Sequence, residues 1–206
     1  VRRFGILSEV ADASIMKLVI NLLMPCLIFA SIVGNPRVKD PANFFVAPLA
    51  GFAATCASML LCLLLAKYVF RFKGLQDGPA QSTFAVATGL QNYGYIAIPV
   101  LAKVFEGDLL GILMLHNMGV ELAIWSVGVV IYSGRLSKGS FKKLLNGPTF
   151  AVLISMALNG LNLDVYVPQV ASSAISQLGQ CAIPVGLLLI GATVYDYCGR
   201  PEFSLK

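Results

Sequence analysis

Charge is scarce in this sequence. Of its 206 residues, 12% are Asp, Glu, Lys or Arg, against about 25% in soluble domains. It has one histidine and one tryptophan. The five cysteines (Cys26, Cys56, Cys62, Cys181 and Cys198) form no C-x-x-C pair, and His116 lies at ligand spacing from none of them. These shortages exclude a soluble globular domain, a zinc site and a disulfide framework. No cofactor or metal is expected, and four of the cysteines read as small packing residues inside apolar runs. An embedded enzyme needs two or more carboxylates, or a His/acid constellation, within reach of one another. His116 and Glu121 are the sole candidates and share one helix, so the chain is not expected to be an enzyme.

What the sequence does have is long apolar runs. It is 57% hydrophobic, with mean hydropathy +0.80. Six candidate spans follow, at 13–33, 46–70, 80–105, 110–133, 147–163 and 172–195. A spanning helix needs about 20 apolar residues, which all but the short run from Gly147 meet comfortably. The expected fold is an all-α integral membrane protein, one transmembrane domain over 1–206. The first run is too long and too proline-interrupted for a secretory leader.

The basic residues between the spans are lopsided. On the side of Val1 lie Arg2, Arg3, Lys67, Arg71, Lys73, Arg135, Lys138, Lys142, Lys143, Arg200 and Lys206, and opposite them only Arg37, Lys39 and Lys103. Basic loops stay in the cytoplasm. The Val1 end and the 134–146 loop are therefore expected inside a cell membrane, with Lys17 snorkelling to that surface. The pI near 9.0 needs no nucleic acid to explain it.

Two stretches read alike, Asn21-Leu-Leu-Met-Pro25-Cys-Leu-Ile-Phe29 and Gln180-Cys-Ala-Ile-Pro184-Val-Gly186-Leu-Leu-Leu-Ile-Gly191. Each has a side-chain amide four residues before a proline. Proline has no N–H for the carbonyl of residue i−4, so Asn21 and Gln180 are expected to lose helical partners. In hydrocarbon such a break survives only where protein or a wet cavity surrounds it. The repeats lie five crossings apart and so run in opposite directions, the pattern of inverted-topology transporters. That spacing predicts a ten-helix parent of two five-helix repeats, of which six helices are here: repeat one lacks its first helix and repeat two its last three. The Gly186 to Gly191 spacing is expected to let helices approach closely.

The third span holds the richest polar stretch, Thr88-Gly89-Leu90-Gln91-Asn92-Tyr93-Gly94-Tyr95-Ile96-Ala97-Ile98-Pro99. Gly94 costs about 1 kcal/mol against Ala in a helix, and Pro99 frees the carbonyl of Tyr95. Two half-helices are expected to meet near Asn92 to Tyr95, the second aiming its N-terminal amides at that point, a place suited to a carboxylate. In the fourth span, His116, Asn117 and Glu121 form a polar cluster. A carboxylate left charged in lipid costs roughly 2.5 kcal/mol or more, so Glu121 is the candidate carrier of a coupling proton. His116 is expected nearer the headgroups.

With these residues assembled, the sequence resembles the auxin efflux carrier family, whose bacterial members are organic-anion or malate permeases. The resemblance rests on Asn21 to Phe29, on Gly89-Leu-Gln-Asn92-Tyr-Gly94-Tyr-Ile-Ala-Ile-Pro99, on Asn146-Gly-Pro148, and on Leu178-Gly-Gln-Cys-Ala-Ile-Pro184 through Ala192. It implies crossing broken helices at mid-membrane and elevator-like motion of a transport unit (spans two to four) against a scaffold (spans one, five and six). The function it implies is secondary transport of small mono- or dicarboxylates. Asn92 and Gly94 match the first crossover, and Tyr93, Tyr95, Asn21 and Gln180 complete the expected substrate set, with helix breaks at Pro25, Pro99 and Pro184. An acid used by some plant members has no match in Ala47 to Leu65, so auxin itself is not the expected substrate. The readings that compete are a sodium-coupled symporter of the bile-acid type, using Thr88, Gln91, Asn92 and Glu121, and a receptor or structural bundle without transport. Expected partners are an organic anion, the lipid bilayer and a second copy of the chain.

Overall fold

The computed structural model describes residues 7–70, 75–91, 94, 96–105, 109–135, 139 and 145–198. All regular structure among them is helical. Four helices are long and apolar enough to cross a membrane: Val10–Ile32, Pro41–Tyr68, Leu109–Ser133 and Gln169–Tyr197. Gly147–Gly160 is apolar but shorter. The remaining run, expected as a span at 80–105, is two separate helices, Gly78–Gly89 and Ala97–Val104.

In chain order the elements are α1 (Glu9–Leu18), a π-turn (Val19–Leu23), α2 (Met24–Ile32), the short α3 (Pro36–Lys39) and α4 (Pro41–Tyr68). Next come α5 (Gly78–Gly89), α6 (Ala97–Val104), α7 (Leu109–Ala123), a second π-turn (Ile124–Gly128) and α8 (Val129–Ser133). The last three are α9 (Gly147–Gly160), α10 (Gln169–Gln180) and α11 (Ala182–Cys198). Two of the helix starts that frame the packing carry side-chain caps. Asp40 accepts from Ala42 N–H (3.0 Å) at the start of α4, and Asn146 from Thr149 N–H (2.9 Å) at α9, each satisfying an orphan amide.

The prolines do not all break their helices. At Pro25 the first span stays continuous: its ladder widens in the π-turn just ahead, and Met24 N–H reaches five residues back to Val19 O. The added residue takes up the mismatch that proline imposes, so the break expected there is a bulge. At Pro184 the helix is interrupted a little earlier, at Cys181, whose N–H turns back three residues to Leu178 O (3.2 Å).

The helices pack in two groups. In one, α2 lies against α9 and α10; in the other, α4 lies against α5 and α7. These are the helices assigned above to scaffold and transport unit respectively. Glycines allow the close crossings. A Cβ on Gly119 would collide with the backbone of α4 at Pro48 O and Phe52 N (2.8 Å), and one on Gly51 with the His116 carbonyl. A Cβ on Gly89 would lie 2.6 Å from Met59 Cα, and one on Gly179 would lie 2.7 Å from Leu27 Cα. Gly191, expected at such a crossing, faces open space: it lies on the exposed side of α11, away from the helices that pack there.

A polar clamp closes one end of the first group. Buried Asn159 donates to Ile32 O (2.6 Å) and accepts from Gly34 N–H (2.9 Å), satisfying the end of α2. Beside it, Lys39 Nζ forks onto both oxygens of Asp164 at 2.9 Å.

Gly119→Ala should therefore cost about 1–3 kcal/mol by overpacking, read as a lower midpoint in detergent melting, whereas Gly191→Ala should melt like wild type. Equal midpoints for the two variants would contradict the α4–α7 crossing.

Candidate functional site

The interrupted third span positions the site. α5 ends at Gly89, whose missing side chain lets it sit on Met59 of α4. Leu90 is then extended (φ −78°, ψ 115°), and α6 begins at Ala97. Against this break lies a cavity of about 470 Å³. Its walls come from both helix groups: Ile20, Met24 and Ile28 of the first span with Asn146, Thr149 and Val152 of α9 on one side, and Gln91, Gly94, Asn117 and Glu121 on the other. The volume lies within the range of small-molecule pockets, which are mostly apolar with a few placed polar groups. A Cβ on Gly94 would meet nothing within 4 Å, so its place in the wall leaves room for a ligand.

The electrostatics are one-sided. Among the described residues the lining has a single acid, Glu121, and no lysine or arginine. Glu121 is half-buried, and its Oε2 accepts from the indole N–H of Trp125 at 2.9 Å. The neutral polar side chains in the lining are the amides of Gln91, Asn117 and Asn146 and the Thr149 hydroxyl. The Asn146 carbonyl oxygen is occupied by Thr149 N–H, which points the amide in a fixed direction.

At the start of α6 the backbone is already bonded in the helical pattern. Ile98 N–H donates to Gly94 O (2.9 Å), Val100 N–H to Ile96 O (3.3 Å), and Pro99 has none. The residue separation explains this: the Gly94 carbonyl is four residues before Ile98, and helical bonding begins before the assigned helix does.

Of the expected site residues, Gly94 and Glu121 are in the cavity wall. Asn92, Tyr93 and Tyr95 lie outside the described residues. Asn21 is exposed, its amide donating to Lys17 O of its own helix (2.9 Å), and Gln180 is exposed, donating to Ser176 Oγ (3.3 Å). Neither lines the cavity. Thr88 is exposed. His116 packs against α4 at Gly51, with Nδ1 3.5 Å from Asn117 Oδ1. Reasoning from the sequence missed Asn146 and Thr149, which reach the cavity from a distant part of the chain. It also missed Trp125, although its i+4 spacing from Glu121 is the ordinary signal for a side-chain pair on one helix face.

With this geometry in view, comparison with known proteins settles the family. The sequence profile of the family described as "Membrane transport protein" matches residues 1–143. The chain belongs to that family. It is a family of transporters rather than enzymes, and is the auxin efflux carrier family to which the sequence motifs pointed. An uncharacterized transporter of Methanothermobacter thermautotrophicus is 24% identical over 200 residues, an alignment covering 92% of this chain. The chain spans 61% of that relative's length. No solved structure matches.

In a variant without its native cysteines, Met118→Cys should react with a small water-soluble thiol reagent and be protected by a solute bound in the cavity. Gln180→Cys should show no protection. Protection at both positions, or at neither, would contradict this placement of the site.

Proposed function

We propose that this membrane transport protein carries small organic anions, mono- or dicarboxylates, by secondary active transport. One observation carries the reading: a ligand-sized cavity lies where a membrane helix is interrupted, between two separately packed helix groups. Irregular backbone at membrane depth is tolerated where it lines a cavity, and transporter sites are built from discontinuous helices at such interfaces. Movement of α4–α8 against the α2, α9 and α10 group would open this cavity to either side in turn, an elevator-like cycle.

The substrate carboxylate would be held by neutral amides, Asn92 and Asn117 foremost, with Gly94 leaving space. The apolar wall of Met24, Ile28 and Val152 would take the rest of the molecule. Glu121 is the proposed coupling group, because it is the single acid in the described lining and carrying a proton would neutralise it beside an anion. Sodium coupling is the second reading, supported by the oxygen-bearing side chains of Gln91, Asn117 and Glu121 along one cavity. The proposed setting is a cell membrane, with the Val1 end and the 134–146 loop cytoplasmic and the working unit a homodimer.

Proteoliposomes containing the full-length transporter should accumulate a radiolabelled small carboxylate. Uptake that follows an imposed pH gradient without sodium supports Glu121 coupling; a strict sodium requirement supports the second reading. No flux of any carboxylate would remove the anion assignment. Asn92→Ala should insert normally and lose at least about tenfold in uptake, as expected when a hydrogen bond to a charged group is removed. Wild-type uptake would exclude Asn92 from the site.

A further inference from the structure

The two helix groups touch at one end of their interface and part at the other. The first span and α7 pair antiparallel. Gly111 packs at Ser31 and Asn35, whereas further along the cavity is walled by Met114 to Glu121 on one side and by Ile28 back to Ile20 on the other. At the touching end the fit leaves no room for a side chain. A Cβ on Gly111 would lie 2.6 Å from Ser31 O, 2.6 Å from Asn35 Nδ2 and 2.7 Å from Val38 Cγ2. These three belong to a corner, the end of α2 with the short α3, that is fastened to the far end of α9. Asn35 accepts from Arg37 N–H (3.0 Å) and donates to Ser31 O (2.9 Å). Asn159 holds Ile32 O and Gly34 N–H, and Lys39 is paired with Asp164. The corner is thus a fixed jaw on one group, and Gly111 is the part of the other group that closes on it. The contact is dry: Ile32 and Val38 are 0% and 1% exposed, and Met114, where the cavity begins, is 2% exposed. At the cavity's other end Ile20 is 40% exposed, and Asn146 and Thr149 are half-buried at the start of α9.

We infer that Gly111 and the Ser31–Val38 corner form a gate, closed in this structure, that seals the cavity at the end away from Asn146. Opening the cavity to that side requires the contact to break. Glycine lets α7 meet the corner with no side chain to withdraw. A larger residue overpacks the closed arrangement and spares the open one, so it shifts the balance toward the open state. The inference rests on the movement of the two groups proposed above and is independent of the passenger's chemistry.

The test uses the cysteine-free full-length protein with Met118→Cys in the cavity wall, in sealed membrane vesicles of each orientation. A membrane-impermeant charged methanethiosulfonate is applied from outside. The cysteine should react at least about tenfold faster from the face bearing Asn146 than from the face bearing Asn35. Gly111→Leu should raise the rate from the Asn35 face roughly tenfold and lower the rate from the Asn146 face. Gly111→Ala should move both rates the same way by a smaller factor, and it decides the matter if the leucine variant does not insert. Gly179→Ala, which crowds α10 against α2 inside one group, should lower the melting midpoint and leave the ratio of the two rates as in wild type. An unchanged ratio in the Gly111 variants would make the crossing merely structural and overturn the gate, while sparing the movement of the groups. Equal or faster reaction from the Asn35 face without a Gly111 substitution would overturn it by showing that end open. Reaction from neither face would remove the gate and the two-sided cavity together.

Discussion

A peptide group without a hydrogen-bond partner cannot face lipid hydrocarbon; it must be enclosed by protein or lie against water. In this chain the constraint acts most strongly between Gly89 and Ala97, where helix stops and restarts. The surrounding architecture can be understood as the enclosure of that break. Gly89 lets α5 sit directly on Met59 of α4, and Gly51 and Gly119 let α4 and α7 touch backbone to backbone. Side chains at these positions would hold the helices apart and open the break to lipid. In the other group, Gly179 draws α10 onto α2, and the Asn159 clamp fixes the end of α2 beside α9. The cavity is the space left where the two groups meet.

Prolines alone do not determine where such a break occurs. Three of them interrupt apolar runs with similar local sequence, and the chain answers differently each time. Pro25 is absorbed by a π-turn, Pro184 follows a one-residue interruption at Cys181, and Pro99 lies in the first turn of a helix separate from the one that ends at Gly89. Pro48 lies within α4 without ending it. The difference lies in what precedes the proline. Asn21-Leu-Leu-Met keeps four good helix formers or neutral residues in register, so widening the ladder by one residue is the smaller cost. The sequence before Pro99 combines an amide-rich segment with a glycine, whose weaker helical preference accords with one helix ending at Gly89 and another beginning at Ala97.

This explains what was legible in the sequence. Long apolar runs gave the spans, because hydrocarbon thickness fixes length and composition together. The interruption before Pro99 could be read because a glycine, a polar segment and a proline concur within ten residues. The response at Pro25 could not, since proline removes one donor without saying whether the ladder widens or opens. The cavity was half legible. Glu121 and Asn117 stood out as polar groups in an apolar run, but Asn146 and Thr149 sit at the start of another helix, and only packing of α9 against the first span brings them there. Asn21 and Gln180, each four residues before a proline, lie outside the cavity lining, and each side-chain amide donates within its own helix.

The chemistry of the cavity follows from the same break. Gly94 supplies a carbonyl to Ile98 N–H, so helical bonding on the far side of the break reaches back to the cavity wall. The described lining adds side-chain amides and a single carboxylate, with no lysine or arginine. Solvent screens charge weakly in a half-buried site, so one carboxylate weighs more there than it would in water. Glu121 therefore sets the electrostatic character of the described lining, and the Trp125 indole N–H donated to its Oε2 at 2.9 Å ties that character to the π-turn at the end of α7.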